Sequence, residues 1–196
     1  QDADIEGDVM KNGIFLNARI RKGPEKGIIS TRLVGDYNLP NLLAAVACGS
    51  CFNVSGEKIK EAIENYNPSN SRSQLIKKGS NEIILDAYNA NPSSMKLAIE
   101  NFARNPSGRK ILMLGGMAEL GEESLQEHRA VIEQIQQHDW FKVVLVGGDF
   151  LKISHPFISF PDSASAARWL REEKPEHSVL LIKGSRSMQM EKVLDA

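Results

Sequence analysis

Four short apolar runs constrain this chain more than anything else in it: Glu82-Ile-Ile-Leu-Asp86, Lys110-Ile-Leu-Met-Leu114, Lys142-Val-Val-Leu-Val146 and Ser178-Val-Leu-Leu-Ile182. None alternates apolar with polar residues, so each reads as a strand buried on both faces. Segments of helical length and period separate them. One begins at Ser93 with Met95, Leu97, Ala98 and Phe102 in phase, one spans about Ser124 to Gln137, and one about Ser163 to Glu172. A short strand near Phe157 and a closing helix from about Met188 complete the pattern. Strand followed by helix, repeated from Arg72 onward, predicts an α/β fold with a mostly parallel sheet and helices on both faces.

The first part of the chain obeys a different rule. Asp8 to Ile20 and Ile28 to Val34 alternate as strands do, with the Gly- and charge-rich Arg21 to Gly27 between them. Two helices are then predicted, from Leu39 to Phe52 with Pro40 in the first turn, and from an N-cap at Ser55 to about Tyr66. The polar, turn-rich Asn67-Pro-Ser-Asn-Ser71 marks a boundary between residues 1–71 and 72–196.

Composition removes several function classes. A net charge of -1 without a long run of Lys or Arg gives no nucleic-acid surface. No apolar run approaches the roughly 20 residues that span a bilayer, and Gln1-Asp-Ala-Asp-Ile5 lacks the features of a signal peptide, so a cytoplasmic chain is expected. The missing initiating Met and an opening in mid-strand suggest a piece of something longer. The two cysteines, Cys48 and Cys51, lie late in an Ala-rich helical stretch and are expected to be buried small hydrophobes rather than a redox pair or half a zinc site.

Chemistry concentrates where strands end, as α/β folds require. Asp86-Ala-Tyr-Asn-Ala-Asn-Pro-Ser-Ser-Met95 crowds a carboxylate, two amides (Asn89 and Asn91) and two hydroxyls, Ser94's among them, into one strand-to-helix junction. An N-cap by Asn91 is the plainer explanation, but a cap needs one such residue and this loop has five. Leu114-Gly-Gly-Met-Ala-Glu-Leu-Gly-Glu122, followed by His128, offers glycines for close approach of a ligand and Glu119 for a cation or amine; a flexible turn is the alternative. Val146-Gly-Gly-Asp149 reads as a plain turn. Lys183-Gly-Ser-Arg186 supplies two cations and a hydroxyl, with Ser185 and backbone N–H groups, for an anion; a solvated basic turn is the alternative. In the first part, Asn38 and Asn41 are spaced to face one way and read a nucleobase edge, although a cap by Asn38 explains half of that. No Gly-x-x-x-x-Gly-Lys-Ser/Thr and no Gly-x-Gly-x-x-Gly occurs, so complete ATP chemistry or hydride transfer is not expected from this chain alone.

Taken in order, Gly35-x-Tyr-Asn-x-x-Asn41-x-x-Ala-Ala45, Asp86-x-Tyr-Asn-Ala-Asn-Pro-x-Ser-Met95, Leu114-Gly-x-Met-x-Glu-Leu-Gly121 with His128, Lys183-Gly-Ser-Arg186 and Met190-Glu191 resemble the Mur ligases. The Tyr-Asn-Ala-Asn-Pro and Lys-Gly-Ser-Arg blocks are most like the branch that joins D-Ala-D-Ala to a UDP-N-acetylmuramoyl tripeptide, using ATP and Mg²⁺ to form an acyl phosphate in peptidoglycan precursor synthesis. The resemblance implies that residues 1–71 are the tail of a central ATP-binding domain and 72–196 a C-terminal Rossmann-like domain, with the P-loop, metal ligands and UDP-binding domain upstream and a monomer favoured. It further implies that Asn38 and Asn41 contact adenine, that Arg72 and Asp86 approach the phosphates and ribose on domain closure, and that Asn89, Asn91, Ser94, Glu119, Lys183, Ser185 and Arg186 face the dipeptide and phosphate. Tyr37 stands where many relatives carry His, Ser71 where Gly is usual, and Gly116 in place of a common Asp. A non-catalytic binding module for a small anion, and a Mur ligase adding a single amino acid, are the competing readings.

Overall fold

In the computed structural model, residues 3–10, 13–69, 71–106 and 108–195 are described. They divide into two compact units, 1–68 and 69–196. In the first, β1 (Glu6–Met10), β2 (Phe15–Lys22) and β3 (Gly27–Val34) form an antiparallel meander, followed by α1 (Leu39–Cys51) and α2 (Gly56–Asn65). The segment expected as one strand from Asp8 to Ile20 is thus two strands, and residues 11–12 of it lie outside the described residues. β2 buries every second side chain, Leu16, Ala18 and Ile20, against Leu42, Val46 and Ile59 of the helices. Ser55 occupies the N-cap position of α2 but its side chain makes no capping bond.

The expected burial of the cysteines is overturned. α1 buries only Leu42 and Val46, so Cys48 and Cys51 lie on its outer side and are exposed, as is Phe52 beyond them at 78%. The Ala-rich composition suggested that both cysteines are buried; instead only one stripe of the helix faces the core.

The second unit carries a six-stranded sheet in the order β4-β5-β9-β6-β7-β8. Its strands are β4 (Gln74–Lys78), β5 (Asn81–Asp86), β6 (Lys110–Gly115), β7 (Lys142–Val146), β8 (Ile158–Phe160) and β9 (Val179–Lys183). Only β4 is antiparallel, a hairpin partner of β5. It escaped the sequence reading because its two apolar residues, Leu75 and Ile76, are adjacent and show neither period. Helices α3 (Pro92–Ala103), α4 (Ser124–Ile135) and α5 (Ser163–Glu173) join the parallel strands. Ile83, Leu85, Ile111, Met113, Val144, Val146, Leu180 and Ile182 face α5 and the C-terminal segment. Their neighbours in sequence, among them Ile84, Leu112, Leu114, Leu145 and Leu181, are also buried and point to the opposite face, where α3 and α4 pack on each other. Burial on both faces is what the unalternating runs demanded.

The chain closes differently from the helix expected after Met188. Two 3-10 turns, Arg186–Met188 and Met190–Leu194, are separated by Gln189 in the left-handed region at φ 49. That break lets Met190 turn inward to complete exclusion from solvent. No helix among the described residues is long and apolar enough to cross a membrane.

The exposure of Cys48 and Cys51 is directly checkable. Both thiols of the folded 196-residue chain are expected to react with a disulfide reagent such as DTNB without denaturant; two thiols that react only after unfolding would contradict the placement of α1.

Candidate active site at the carboxyl edge of the sheet

The connections decide where a ligand can enter. β9 lies between β5 and β6. The chain leaves β5 and β6 toward α3 and α4 on one face, whereas it leaves β9 into the two 3-10 turns, the second of which packs with α5 on the other. The loops at these strand ends therefore part on both sides of β9, and such switch points open crevices at the carboxyl edge of α/β sheets. Lys183 ends β9 in the middle of this edge.

Register then fixes the first contact. Asp86 and Lys183 are paired residues on adjacent parallel strands, so their side chains leave the same face together. Lys183 is 2% exposed, and its Nζ lies 2.6 Å from Asp86 Oδ2 and 3.3 Å from the Asn89 carbonyl. Asp86 Oδ1 accepts from the Ser73 backbone N–H at 3.2 Å. Beyond β9, Ser185 is buried and gives both its N–H and its hydroxyl to the Gly116 carbonyl, at 3.2 and 2.7 Å. Arg186 is exposed, with Nη1 3.4 Å from Glu191 Oε1. The Lys183-Gly-Ser-Arg186 turn expected to offer two cations and a hydroxyl to an anion has thus committed the Lys charge to Asp86 and the Ser hydroxyl to Gly116. Arg186 alone of the three reaches solvent.

The glycine loops are likewise used within the chain. A Cβ added at Gly116 would stand 2.8 Å from Gly148 Cα, so the turns after β6 and β7 touch backbone to backbone. A Cβ at Gly115 or Gly184 would stand 2.7 or 2.6 Å from Met190 Cγ. The glycines admit Met190 and each other where a ligand was expected. A side chain at Gly116 would meet Gly148, so this backbone contact needs a glycine there.

His128 secures the same floor. It is wholly buried, and its Nε2 accepts from the Met117 N–H at 3.0 Å, so Nδ1 carries the proton and donates to the Ser124 carbonyl at 2.7 Å. Its ring meets Phe150 edge-on, with centroids 4.6 Å apart. Nearby, Asp149 is bound by Lys152 Nζ at 2.6 Å and by the Ser124 side chain, and these two bonds hold its carboxyl below the ordinary aspartate value of 3.8.

The Asp86 loop divides its polar groups between a cap and a platform. Asn91 is the N-cap of α3: its Oδ1 accepts from Ser94 N–H at 2.9 Å and from Ser93 Oγ at 3.0 Å, while its own N–H donates to Ser94 Oγ at 3.1 Å. A cap was expected to use one residue of this loop, but a reciprocal capping box with an added hydroxyl engages three, Asn91, Ser93 and Ser94. Asn89 is exposed and its Oδ1 accepts from Ala90 N–H at 2.8 Å. Tyr88 is 41% exposed, and the exposed Arg72 lays its guanidinium 3.7 Å from the Tyr88 ring centroid. Ser71 and Ser73, on either side of Arg72, have left-handed φ of 58 and 47, which explains why Gly suits position 71. Glu119 is exposed, also with left-handed φ, at 63.

In the first unit, Asn38 is buried; its Nδ2 donates to the Val34 carbonyl at 2.9 Å and its Oδ1 accepts from Asn41 Nδ2 at 3.0 Å. It makes no side-chain cap of α1. Asn41 is exposed. The structure thus brings together Asp86, Asn89 and Lys183, pairs Asn38 with Asn41, and shows no direct contact of Glu119 or Arg186 with the Lys183 pair. Tyr88 as a seat for Arg72, and Ser73 as a donor to Asp86, were missed; an aromatic ring exposed within a polar loop was the available signal for the first. Among the described residues no group of three or more His, Cys, Asp or Glu is placed to hold a metal ion.

The Mur ligase, glutamate ligase domain family matches residues 71–186, which contain the strand-end loops from Asp86 to Arg186 but not Asn38 and Asn41. A UDP-N-acetylmuramoyl-tripeptide–D-alanyl-D-alanine ligase of Buchnera aphidicola is 33% identical over 173 residues, covering 85% of this chain and 38% of the relative. The ligase of the same name from Escherichia coli is 34% identical over 174 residues, covering 84% and 37%. A crystal structure of MurF from Acinetobacter baumannii superposes with a TM-score of 0.83 at 26% identity, covering all of this chain and 45% of that one. The chain therefore spans less than half the length of these relatives.

Two outcomes follow from the geometry. Asp86→Ala leaves a buried ammonium without its counter-charge and is expected to destabilise the chain by about 3–5 kcal/mol in denaturant unfolding, whereas Asp86→Leu combined with Lys183→Met recovers most of that loss. Because the folded Asp149 carboxyl is held below its ordinary value, its contribution is complete above that value and drains away as pH falls through the lower, folded one. Asp149→Asn is expected to flatten the fall in stability below about pH 4; an unchanged acid limb would refute the assignment.

Proposed function

This chain belongs to the Mur ligase family, and from that premise we propose that it forms part of an ATP-dependent ligase that joins D-Ala-D-Ala to a UDP-N-acetylmuramoyl tripeptide in the cytoplasm. Residues 72–196 act as its C-terminal Rossmann-like domain and the first unit as the end of its ATP-binding domain. The observation that carries this reading is that the matched segment contains all the loops gathered at the carboxyl edge around β9.

The chemistry divides as follows. A tripeptide carboxylate attacks the ATP γ-phosphorus and releases ADP, giving an acyl phosphate. The neutral amine of the dipeptide then attacks the acyl carbon, loses a proton and expels phosphate as the amide forms. Asn41 presents its amide to adenine, oriented by the buried Asn38. Arg72 meets the phosphates and Asp86 the ribose side. We assign the Mg²⁺ that accompanies ATP to residues outside this chain.

A free dipeptide is a zwitterion, so its site needs one cation and one anion. Arg186 and Glu119 are exposed charges of opposite sign on the strand-end loops and meet that need. The remaining groups support them: Lys183 and Ser185 fix the central strand end, Asn89 receives Lys183 through its carbonyl, and Asn91 with Ser94 fixes the start of α3.

The test is an assay of the protein as its gene encodes it. Phosphate release that requires ATP, UDP-N-acetylmuramoyl tripeptide and D-Ala-D-Ala together is the expected result, with Arg186→Ala raising the KM for the dipeptide about ten-fold, as loss of one charge-assisted hydrogen bond implies. The 196-residue chain by itself is expected to turn over nothing. A free amino acid used in preference to the dipeptide would assign the protein to another branch, and ligation by the chain alone would overturn the division of labour.

A further inference from the structure

Arg72 is held in an unusual way. Its guanidinium lies 3.7 Å from the centroid of Tyr88, and the backbone around it is tied to the loop that carries that ring. Tyr88 N–H donates to the Ser71 carbonyl at 3.2 Å, and Ser73 N–H donates to Asp86 Oδ1, whose partner oxygen is held by the buried Lys183. Ser71 N–H in turn donates to Gln74 Oε1 at 2.9 Å. Two non-glycine residues of left-handed backbone, one on each side of a single arginine, are costly, and they persist because these bonds over-determine them.

We propose that Tyr88 is a positioning residue for Arg72, its ring being the seat on which the guanidinium waits for an oxyanion of the phosphate class. This rests on the assignment of Arg72 to the ATP phosphates. Stacking covers one face of the guanidinium and leaves its N–H donors, which lie in the guanidinium plane, free to form the paired hydrogen bonds that phosphate accepts. The long side chain is ordered before the ligand arrives, so less conformational freedom is lost on binding. The hydroxyl of Tyr88 has no part in this, and the ring alone suffices.

The experiment compares Tyr88→Phe, Tyr88→Leu and Arg72→Ala in the protein as its gene encodes it, with an NMR readout on the 196-residue chain. Tyr88→Leu is expected to raise the KM for ATP roughly three-fold, the worth of an exposed cation–π contact, without moving kcat or the KM for the dipeptide. Tyr88→Phe restores the wild-type value. In the isolated chain the Arg72 Nε–H resonance is expected to carry a ring-current shift in the wild type and Tyr88→Phe and to lose it in Tyr88→Leu. An ATP KM unchanged in Tyr88→Leu while Arg72→Ala raises it overturns the seat alone. An ATP KM unchanged in Arg72→Ala overturns the phosphate role of Arg72, and with it the proposal, even where the NMR shift verifies the stacking. A parallel fall in kcat and rise in every KM in Tyr88→Leu marks general damage to the loop and also overturns the positioning role.

Discussion

The buried pair of Lys183 and Asp86 is the contact on which the carboxyl edge depends. Removing two charges from water costs several kcal/mol for each, and their attraction in a protein interior returns a similar amount, so the pair adds little net stability. Its consequence is geometrical. It fastens the end of β9 to the end of β5, draws in the Asn89 carbonyl, and leaves the second Asp86 oxygen to fix Ser73. Three segments distant in sequence are thereby held at one point, and a neutral apolar pair of similar size would hold the strands without directing the loops.

A second set of constraints fixes the other side of the same edge. Gly116 and Gly148 allow the turns after β6 and β7 to meet, Met190 fills the space over Gly115 and Gly184, and His128 pins the Met117 amide from below. Ser185 ties β9 into this floor through the Gly116 carbonyl. The edge is therefore assembled from backbone contacts and uncharged hydrogen bonds on one side of Lys183 and from an ion pair on the other. Charges that reach solvent there, on Arg72, Glu119 and Arg186 among others, stand on a scaffold whose polar groups are largely paired, the buried Glu191 Oε2 being the exception among the described residues. This separation has a general advantage for a reacting site: groups that hold their shape without ligand do not need to be ordered at the moment of reaction.

Most of the architecture was legible before any coordinates. Runs such as Lys142-Val-Val-Leu-Val146 require burial on both faces, and the intervening helical periods force crossovers, so a mostly parallel sheet follows. β4 was not legible because an edge strand carries only a weak pattern, and the C-terminal helix was misjudged because its interruption at Gln189 comes from the demand of Met190 for a place in the core. Cys48 and Cys51 were misjudged because composition reports that a segment is apolar without reporting which side of it meets the core.

The sequence by itself determined the fold class, the order of the strands in the chain and the polar residues that gather at strand ends, because hydrophobic period and turn chemistry act over a few neighbouring residues. Which of those polar residues face solvent was decided only by tertiary structure. Lys183 and Arg186 are three residues apart and equally basic, yet one is buried against Asp86 and the other exposed, since the strand order sets β9 beside β5 and the register brings Asp86 opposite Lys183. Charge is a property of the residue, but its availability depends on partners about a hundred residues away that no local pattern encodes.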